Sequence, residues 1–250
     1  MILVNKENNL MVGWTPKCAC TTVCKMFSNE IGLLDEALDF HPFIHQYRQR
    51  VYEPKHPILT NYFHDKNILK FKVVRNPYRR VVSSYVHYMR DEYTENNHPI
   101  INQLKRMGHE EPNNITFIDY LNYLTKVDLN KQKTEFHQEY QHDPFELDNS
   151  MKWDHIIKIE EIDKGIDRLN KKYGTTLTVK GDIGKSFHYT IKDKNFKEIA
   201  FDKKAKDIIR KEGDTTIIPD YKMFYNPSIK KRVDKLYGTD IKLYKYNFNL

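Results

Sequence analysis

The chain has 250 residues, 39% hydrophobic and 30% charged, which suits one large soluble α/β domain over residues 1–250 and is too short for two full-sized ones. Lysine and arginine total 41 against 34 acidic residues, a formal charge of +7 that favours an anionic partner (nucleotide, nucleic acid or acidic glycan) without choosing among them, much of it belonging to a solvated surface. The only cysteines, Cys18, Cys20 and Cys24, lie in one short stretch; this excludes a disulfide framework, and no second Cys or His pair completes a metal finger, so reduced, partly buried thiols are expected.

The elements follow in chain order. Ile2 to Val4 and Leu10 to Trp14 are apolar runs split by a polar stretch, which predicts strand, turn and strand. From Thr21, the apolar residues Val23, Met26, Phe27 and Ile31 recur at helical spacing, and Gly32 marks the stop. Ile68 to Val74 is a β-branched run, and Arg79 to Met89 reads as a helix with Val81, Val82, Tyr85 and Tyr88 inward. Glu92 to Asn114 is polar and carries Pro99, Gly108 and Pro112, so a mobile excursion is expected there rather than a core element. Thr116 caps a predicted helix to Leu124, with Phe117, Tyr120, Leu121 and Leu124 on one face. His155 to Ile159 reads as a buried strand, and Glu160 to Tyr173 as a helix ended by Gly174. Further helices are predicted at Phe196 to Lys211 and Pro227 to Tyr237. Helices alternating with short strands predict a three-layer α/β fold with a mainly parallel central sheet.

Two segments carry chemistry. Trp14-Thr15-Pro16-Lys17-Cys18-Ala19-Cys20-Thr21-Thr22 joins a predicted strand to a predicted helix, where free N–H groups and the helix dipole receive a phosphate. Lys17 adds a full charge, Thr21 and Thr22 add hydroxyls, and the small residues Ala19 and Cys20 stand where the backbone must approach a ligand. The loop is P-loop-like but lacks the G-x4-G-K-[ST] pattern, which disfavours a nucleoside triphosphatase. The second segment, Lys72 to Tyr85, ends a strand at Arg75 and places Ser83 about two helical turns later, so that a guanidinium and a hydroxyl are available to a second phosphate. Strand C-terminal ends are where open α/β sheets bind ligands.

Pro16-Lys17-x-Ala19-Cys20-Thr21-Thr22 resembles the 5′-phosphosulfate loop of sulfotransferases, and Val74-Arg75-Asn76-Pro77-Tyr78-x-Arg80-x-x-Ser83-x-Tyr85 resembles their 3′-phosphate motif. The carbohydrate sulfotransferases of the chondroitin and HNK-1 type, sulfotransferase family 2, are the nearest resemblance. Later segments agree in order: Phe117-x-x-Tyr120-Leu121, His137-x-x-x-Gln141, Trp153 to Glu160, Lys185-Ser186, and Leu236-Tyr237 with Asp240, Leu243, Tyr244 and Tyr246. The resemblance implies a donor, 3′-phosphoadenosine 5′-phosphosulfate (PAPS), with PAP as product and a carbohydrate hydroxyl as acceptor. It implies that the loop Lys17, Cys18, Ala19, Cys20, Thr21 and Thr22 holds the 5′-phosphosulfate, that Arg75 and Ser83 hold the 3′-phosphate, and that Lys17 also stabilises the leaving oxygen. No metal is implied.

The acceptor hydroxyl needs a base, and His41, His45, His56 and His64 all fall between the two motifs. Related enzymes place a histidine or glutamate in this region. His45, 30 residues before Arg75, is the first candidate and His41 the second; His137 is a candidate for orienting acceptor or cofactor. The N-terminus carries neither a signal-like apolar region nor a membrane anchor, so a cytoplasmic enzyme is expected, a Golgi-lumenal catalytic fragment being the alternative setting. Two other classes compete. A small-molecule kinase with an atypical phosphate loop needs a Mg²⁺-binding carboxylate, for which Asp154 is the candidate. A non-catalytic nucleic-acid-binding module would use the basic surface and the 17 tyrosines, but no recognisable binding motif accompanies them.

Overall fold

The computed structural model describes residues 1–90, 99–186, 190–213 and 215–248. The chain begins β1 (Ile2–Asn5), β2 (Leu10–Trp14), α1 (Cys20–Glu30), α2 (Leu34–Phe40), α3 (His45–Tyr47), α4 (Glu53–Lys55) and β3 (Leu69–Val74). It continues through α5 (Pro77–Tyr88), α6 (Pro99–Arg106), α7 (Phe117–Leu124), α8 (Pro144–Leu147), β4 (His155–Lys158) and α9 (Ile162–Tyr173). The last elements are β5 (Thr190–Lys192), α10 (Ala205–Ile208), β6 (Arg210–Glu212), β7 (Thr215–Ile218) and α11 (Pro227–Leu243). They group into two compact units, residues 1–75 with 141–186 and residues 76–140 with 187–250.

The first unit is built on a sheet of order β1-β2-β3-β4. β1 and β2 form an antiparallel hairpin with Ile2 opposite Gly13, closed by Asn8 N–H donating to Asn5 Oδ1 at 2.8 Å. β2 and β3 then run parallel, as do β3 and β4. This is an α/β fold with a mainly parallel central sheet flanked by helices. Every residue of β3 is buried, as a central strand covered on both faces requires. Trp14, Met26, Phe27, Phe71 and Val73 pack together in one core cluster, which carries α1 against the sheet. β4 is present, but as the outer strand only its Ile157 is buried while Ile156 is exposed, which corrects the expectation of a buried strand. α9 stops at Gly174, whose φ of 69° is the left-handed turn that glycine tolerates best. Gly13 serves differently: the Trp153 indole lies directly over it, in the space a Cβ would fill.

The second unit is organised around aromatic side chains. Tyr85, Phe117, Tyr120, Phe224 and Tyr237 are all at or below 2% exposure and share one core. α5 is nucleated by Asn76, whose side chain accepts the Tyr78 N–H at 3.0 Å, with Pro77 at the first helical position. α7 has a reciprocal cap: Asp119 N–H donates to Thr116 Oγ1 and Thr116 N–H to Asp119 Oδ2, each at 3.1 Å.

Two expectations fail in this unit. Residues 91–98, part of the excursion expected over Glu92 to Asn114, lie outside the described residues. Pro99–Arg106 is helical, and its Ile100 and Leu104, one turn apart, are buried in the core, while residues 107–114 form turns and bends. The helix expected over Phe196 to Lys211 is reduced to α10, because its backbone groups are taken by other partners. Ala200 N–H donates to Met223 O at 2.8 Å and Phe201 O accepts from Ile118 N–H at 3.1 Å. Arg210–Glu212 then enters a small sheet of order β5-β7-β6. α11 exceeds its expected end, crossing a non-helical φ/ψ at Tyr237 and running on to Leu243.

Candidate functional site

β2 delivers the chain at Trp14 into the loop that precedes α1. Thr15 Oγ1 donates to the Gln141 carbonyl at 3.1 Å, and Cys18 N–H closes a turn onto Thr15 O at 3.1 Å. Lys17 (φ 69°) and Ala19 (φ 59°) both adopt the left-handed region, which costs a non-glycine residue about 1–2 kcal/mol and persists only where the surroundings hold it. Ala19 stands at the N-cap of α1 and offers no capping side chain. The first intrahelical bond runs from Val23 N–H to Ala19 O at 2.9 Å, so the N–H groups of Cys20, Thr21 and Thr22 lie ahead of it. An uncapped helix start of this kind is receptive to an anion. Thr21 and Thr22 are buried, and Lys17, Ala19 and Cys20 half-buried.

β3, the neighbour of β2, ends at Val74 and leads directly into Arg75. Arg75 Nη1 donates to the Lys17 carbonyl at 2.9 Å, which ties the Arg75 side chain to the backbone of the loop after β2, the parallel neighbour of β3. Gln141 joins them. Its Oε1 accepts Arg75 N–H at 2.8 Å and Cys18 S–H at 3.1 Å, while its Nε2 donates to Arg75 O at 2.8 Å. Its backbone carbonyl accepts from Thr15 Oγ1 and, at 2.6 Å, from Lys72 Nζ. Lys72 is itself fully buried and paired with Asp143 at 2.8 Å and with Glu146. Sequence reasoning noted Gln141 only inside a motif and gave Lys72 no role, since contacts across 66 to 126 residues leave no local signal.

The three thiols point in different directions. Cys18 faces Gln141, Cys20 is half-buried with Sγ 4.0 Å from Thr15 O, and Cys24 meets His45. Burial pushes the Cys24 thiol far above its usual range, so it stays protonated.

Of the candidate bases, His45 is buried beside the second turn of α1, with Nδ1 3.5 Å from Cys24 Sγ and its ring edge-on to Phe43. His41 is exposed at the end of α2, and its Nδ1 accepts the Phe43 N–H at 2.9 Å. His56 stacks on Tyr52 at 4.3 Å. His64 lines an open cleft of about 350 Å³ with Lys70, Lys152 and Asp154, at the N-terminal ends of β3 and β4. Asp154 there accepts Lys70 N–H at 2.8 Å, at the wrong end of its strand for a metal serving the phosphate loop. Arg48, missed by sequence reasoning, is buried with its guanidinium 6.0 Å from the Trp14 ring and bonded to Glu53 at 2.6 Å.

Ser83 belongs to the second unit and is half-buried on α5. Its neighbour Ser84 is fully engaged in that unit's core, at 2.8 Å from Tyr120 Oη and 3.0 Å from the His137 carbonyl. His137 Nδ1 lies 2.8 Å from Glu135 Oε1, a pairing that fixes the ring's orientation.

The sheet of the first unit therefore places an uncapped helix start, a lysine and an arginine at the C-terminal ends of two neighbouring parallel strands, an anion-receptive α/β protein. The chain belongs to the sulfotransferase family, family 2: the model described as "Sulfotransferase family" matches residues 1–247, which span both units. It is a transferase, and the family's chemistry is the transfer of a sulfuryl group to a hydroxyl-bearing acceptor. No curated protein and no solved structure matches it. Among the described residues no helix is long and apolar enough to cross a membrane.

Proposed function

We propose that this enzyme transfers the sulfuryl group of PAPS to a carbohydrate hydroxyl, releasing PAP. The observation that supports the reading is the bond from the Arg75 guanidinium to the Lys17 carbonyl, which ties the end of β3 to the loop before the side-chain-uncapped start of α1. In this reading Lys17, Thr21, Thr22 and the loop backbone from Cys18 to Cys20 hold the 5′-phosphosulfate, and Arg75 and Ser83 serve the 3′-phosphate. The two units act as one sulfotransferase domain, a reading supported by the span of the family match.

PAPS supplies a sulfuryl group on a phosphate leaving group. The residues then have positional and electrostatic work, as in phosphoryl transfer. Lys17 offsets the charge that grows on the bridging oxygen as the S–O bond to phosphate breaks. His45 takes the acceptor's proton as the new O–S bond forms. His41 ranks second: with Nδ1 accepting the Phe43 N–H, its neutral ring carries the proton on Nε2 and presents a donor rather than a base. The resemblance to chondroitin-type enzymes supports a carbohydrate acceptor. Reduced thiols at Cys18, Cys20 and Cys24 suit a cytoplasmic setting. The proposed reaction calls for no metal and no nucleic-acid partner.

The test is the melting shift produced by PAP. At a hundred times Kd a ligand specific to the native state adds about 2.7 kcal/mol, roughly 5–10 °C for a chain of this size. Wild-type protein is expected to show it, with Lys17→Ala and Arg75→Ala losing most of it. No shift near millimolar PAP, with ATP and Mg²⁺ stabilising instead, would overturn PAPS as the donor.

A further inference from the structure

Gln141 is completely buried, yet its side chain has no counterpart in the chemistry assigned above. Its amide works in both directions on the backbone of Arg75, accepting from the N–H and donating to the carbonyl, each at 2.8 Å. The same Oε1 accepts from Cys18, a loop residue between the two left-handed positions Lys17 and Ala19. Its carbonyl holds Thr15 at the loop's start. One residue thus grips the loop before β2's helix at two points and the end of β3 at a third. Lys72, fixed between Asp143 and Glu146, donates to that carbonyl and anchors the grip from below.

We propose that Gln141 is a positioning residue: it holds the 5′-phosphosulfate loop in its left-handed form and in register with Arg75, so that the donors on β2's loop and β3's end converge on one ligand. Left-handed alanine and lysine are unstable by themselves and revert unless neighbouring bonds over-determine them. Such bonds are costly to leave unmade, most of all for Cys18, whose thiol is fully buried, while the Arg75 peptide groups are half-buried. The assignment rests on the PAPS reading for the ligand's identity, but the loop's order is measurable without any ligand.

The experiment compares wild type, Gln141→Leu and Gln141→Glu in two assays. The first is the Kd for PAP by calorimetry, well below the melting temperature. The second is the rate at which N-ethylmaleimide alkylates Cys18, read by mass spectrometry, with deeply buried Cys24 as an internal monitor of global unfolding. Gln141→Leu keeps the bulk and removes every side-chain bond; Gln141→Glu keeps an acceptor for Cys18 but loses the donor to Arg75 O. For Gln141→Leu the expected result is a PAP Kd at least tenfold weaker and Cys18 alkylation at least tenfold faster, with Cys24 still protected. Gln141→Glu is expected between the two. Should Cys24 also react in Gln141→Leu, that variant has unfolded and Gln141→Glu decides by the same two readings. PAP affinity and Cys18 rate both within twofold of wild type in a folded variant overturn the proposal. A wild-type protein that ignores millimolar PAP overturns the cofactor reading instead, and the Cys18 rates still decide whether Gln141 holds the loop.

Discussion

Replacing Gly13 with alanine is expected to destabilise this protein, although glycine in a strand interior is ordinarily worse than alanine by about 0.5–1 kcal/mol. An added Cβ would stand 2.4 Å from Cη2 and 2.6 Å from Cζ2 of Trp153. Carbon atoms rest about 3.5–4.0 Å apart, so the overlap exceeds roughly 1 Å. The half-buried indole also packs against Phe145, at 6.1 Å between ring centroids, and under Lys72 Nζ, 5.8 Å from its own centroid, so moving it disturbs both contacts. Overpacking of this kind costs about 1–3 kcal/mol, which for a chain of this length lowers Tm by roughly 2–12 °C. Thermal and urea unfolding, followed by the fluorescence of the chain's 2 tryptophans, measure it. The Trp153→Leu background supplies the control, because Gly13→Ala added there should be neutral or favourable, a coupling of about 1–3 kcal/mol. Gly13→Ala melting at or above the wild-type temperature would refute the placement of Trp153 over β2.

Lys72→Met strips the buried carboxylates of Asp143 and Glu146 of their cation and should cost about 3–5 kcal/mol in urea unfolding. The triple change Lys72→Met, Asp143→Asn, Glu146→Gln should recover most of that loss, and a triple variant no better than the single one would contradict the pairing. At the alkaline end, burial holds the phenols of Tyr85, Tyr120, Tyr225 and Tyr237 well above 10. A raised native value means that the unfolded chain releases these protons first. The stability they carry is therefore whole below about pH 10, the unfolded phenol value, and drains away as pH climbs beyond it. Absorbance at 295 nm and circular dichroism should change together between pH 10 and 12; full tyrosine ionisation centred at pH 10 with the dichroism unchanged would speak against the aromatic core.

The strand–loop–helix starting at Leu10 and the strand leading into Arg75 were legible because their signals are local. A β-branched run, a proline at the first helical position after Asn76, and Val23, Met26 and Phe27 on one face each act within a few residues. Thr116 announced α7 for the same reason. α6 was hidden because its short apolar face, Ile100, Ile101 and Leu104, sits among polar neighbours and prolines. β6 has no apolar side to betray it, since Arg210, Lys211 and Glu212 are all exposed. The residues expected to hold the donor were named from motif resemblance, and the structure brings Lys17 and Arg75 together. The side chain that joins them was not legible, because Gln141 reaches its partners only after the sheet has formed.

The first unit closes through chain that is synthesised late. Thr15 waits 126 residues for Gln141, and Lys25, whose ammonium holds the carbonyls of Asp182 and Lys185 at 3.0 and 3.1 Å, waits up to 160. At about 5–20 residues per second the ribosome needs roughly 6–25 s to supply Gln141 after Thr15. During that interval the nascent loop has no lock, and Cys18 and Cys20 travel with reactive thiols that the finished fold covers or half-covers. If the loop holds PAPS as proposed, donor capture is among the last properties the growing polypeptide acquires, and fragments ending before Gln141 should emerge without it and open to oxidants.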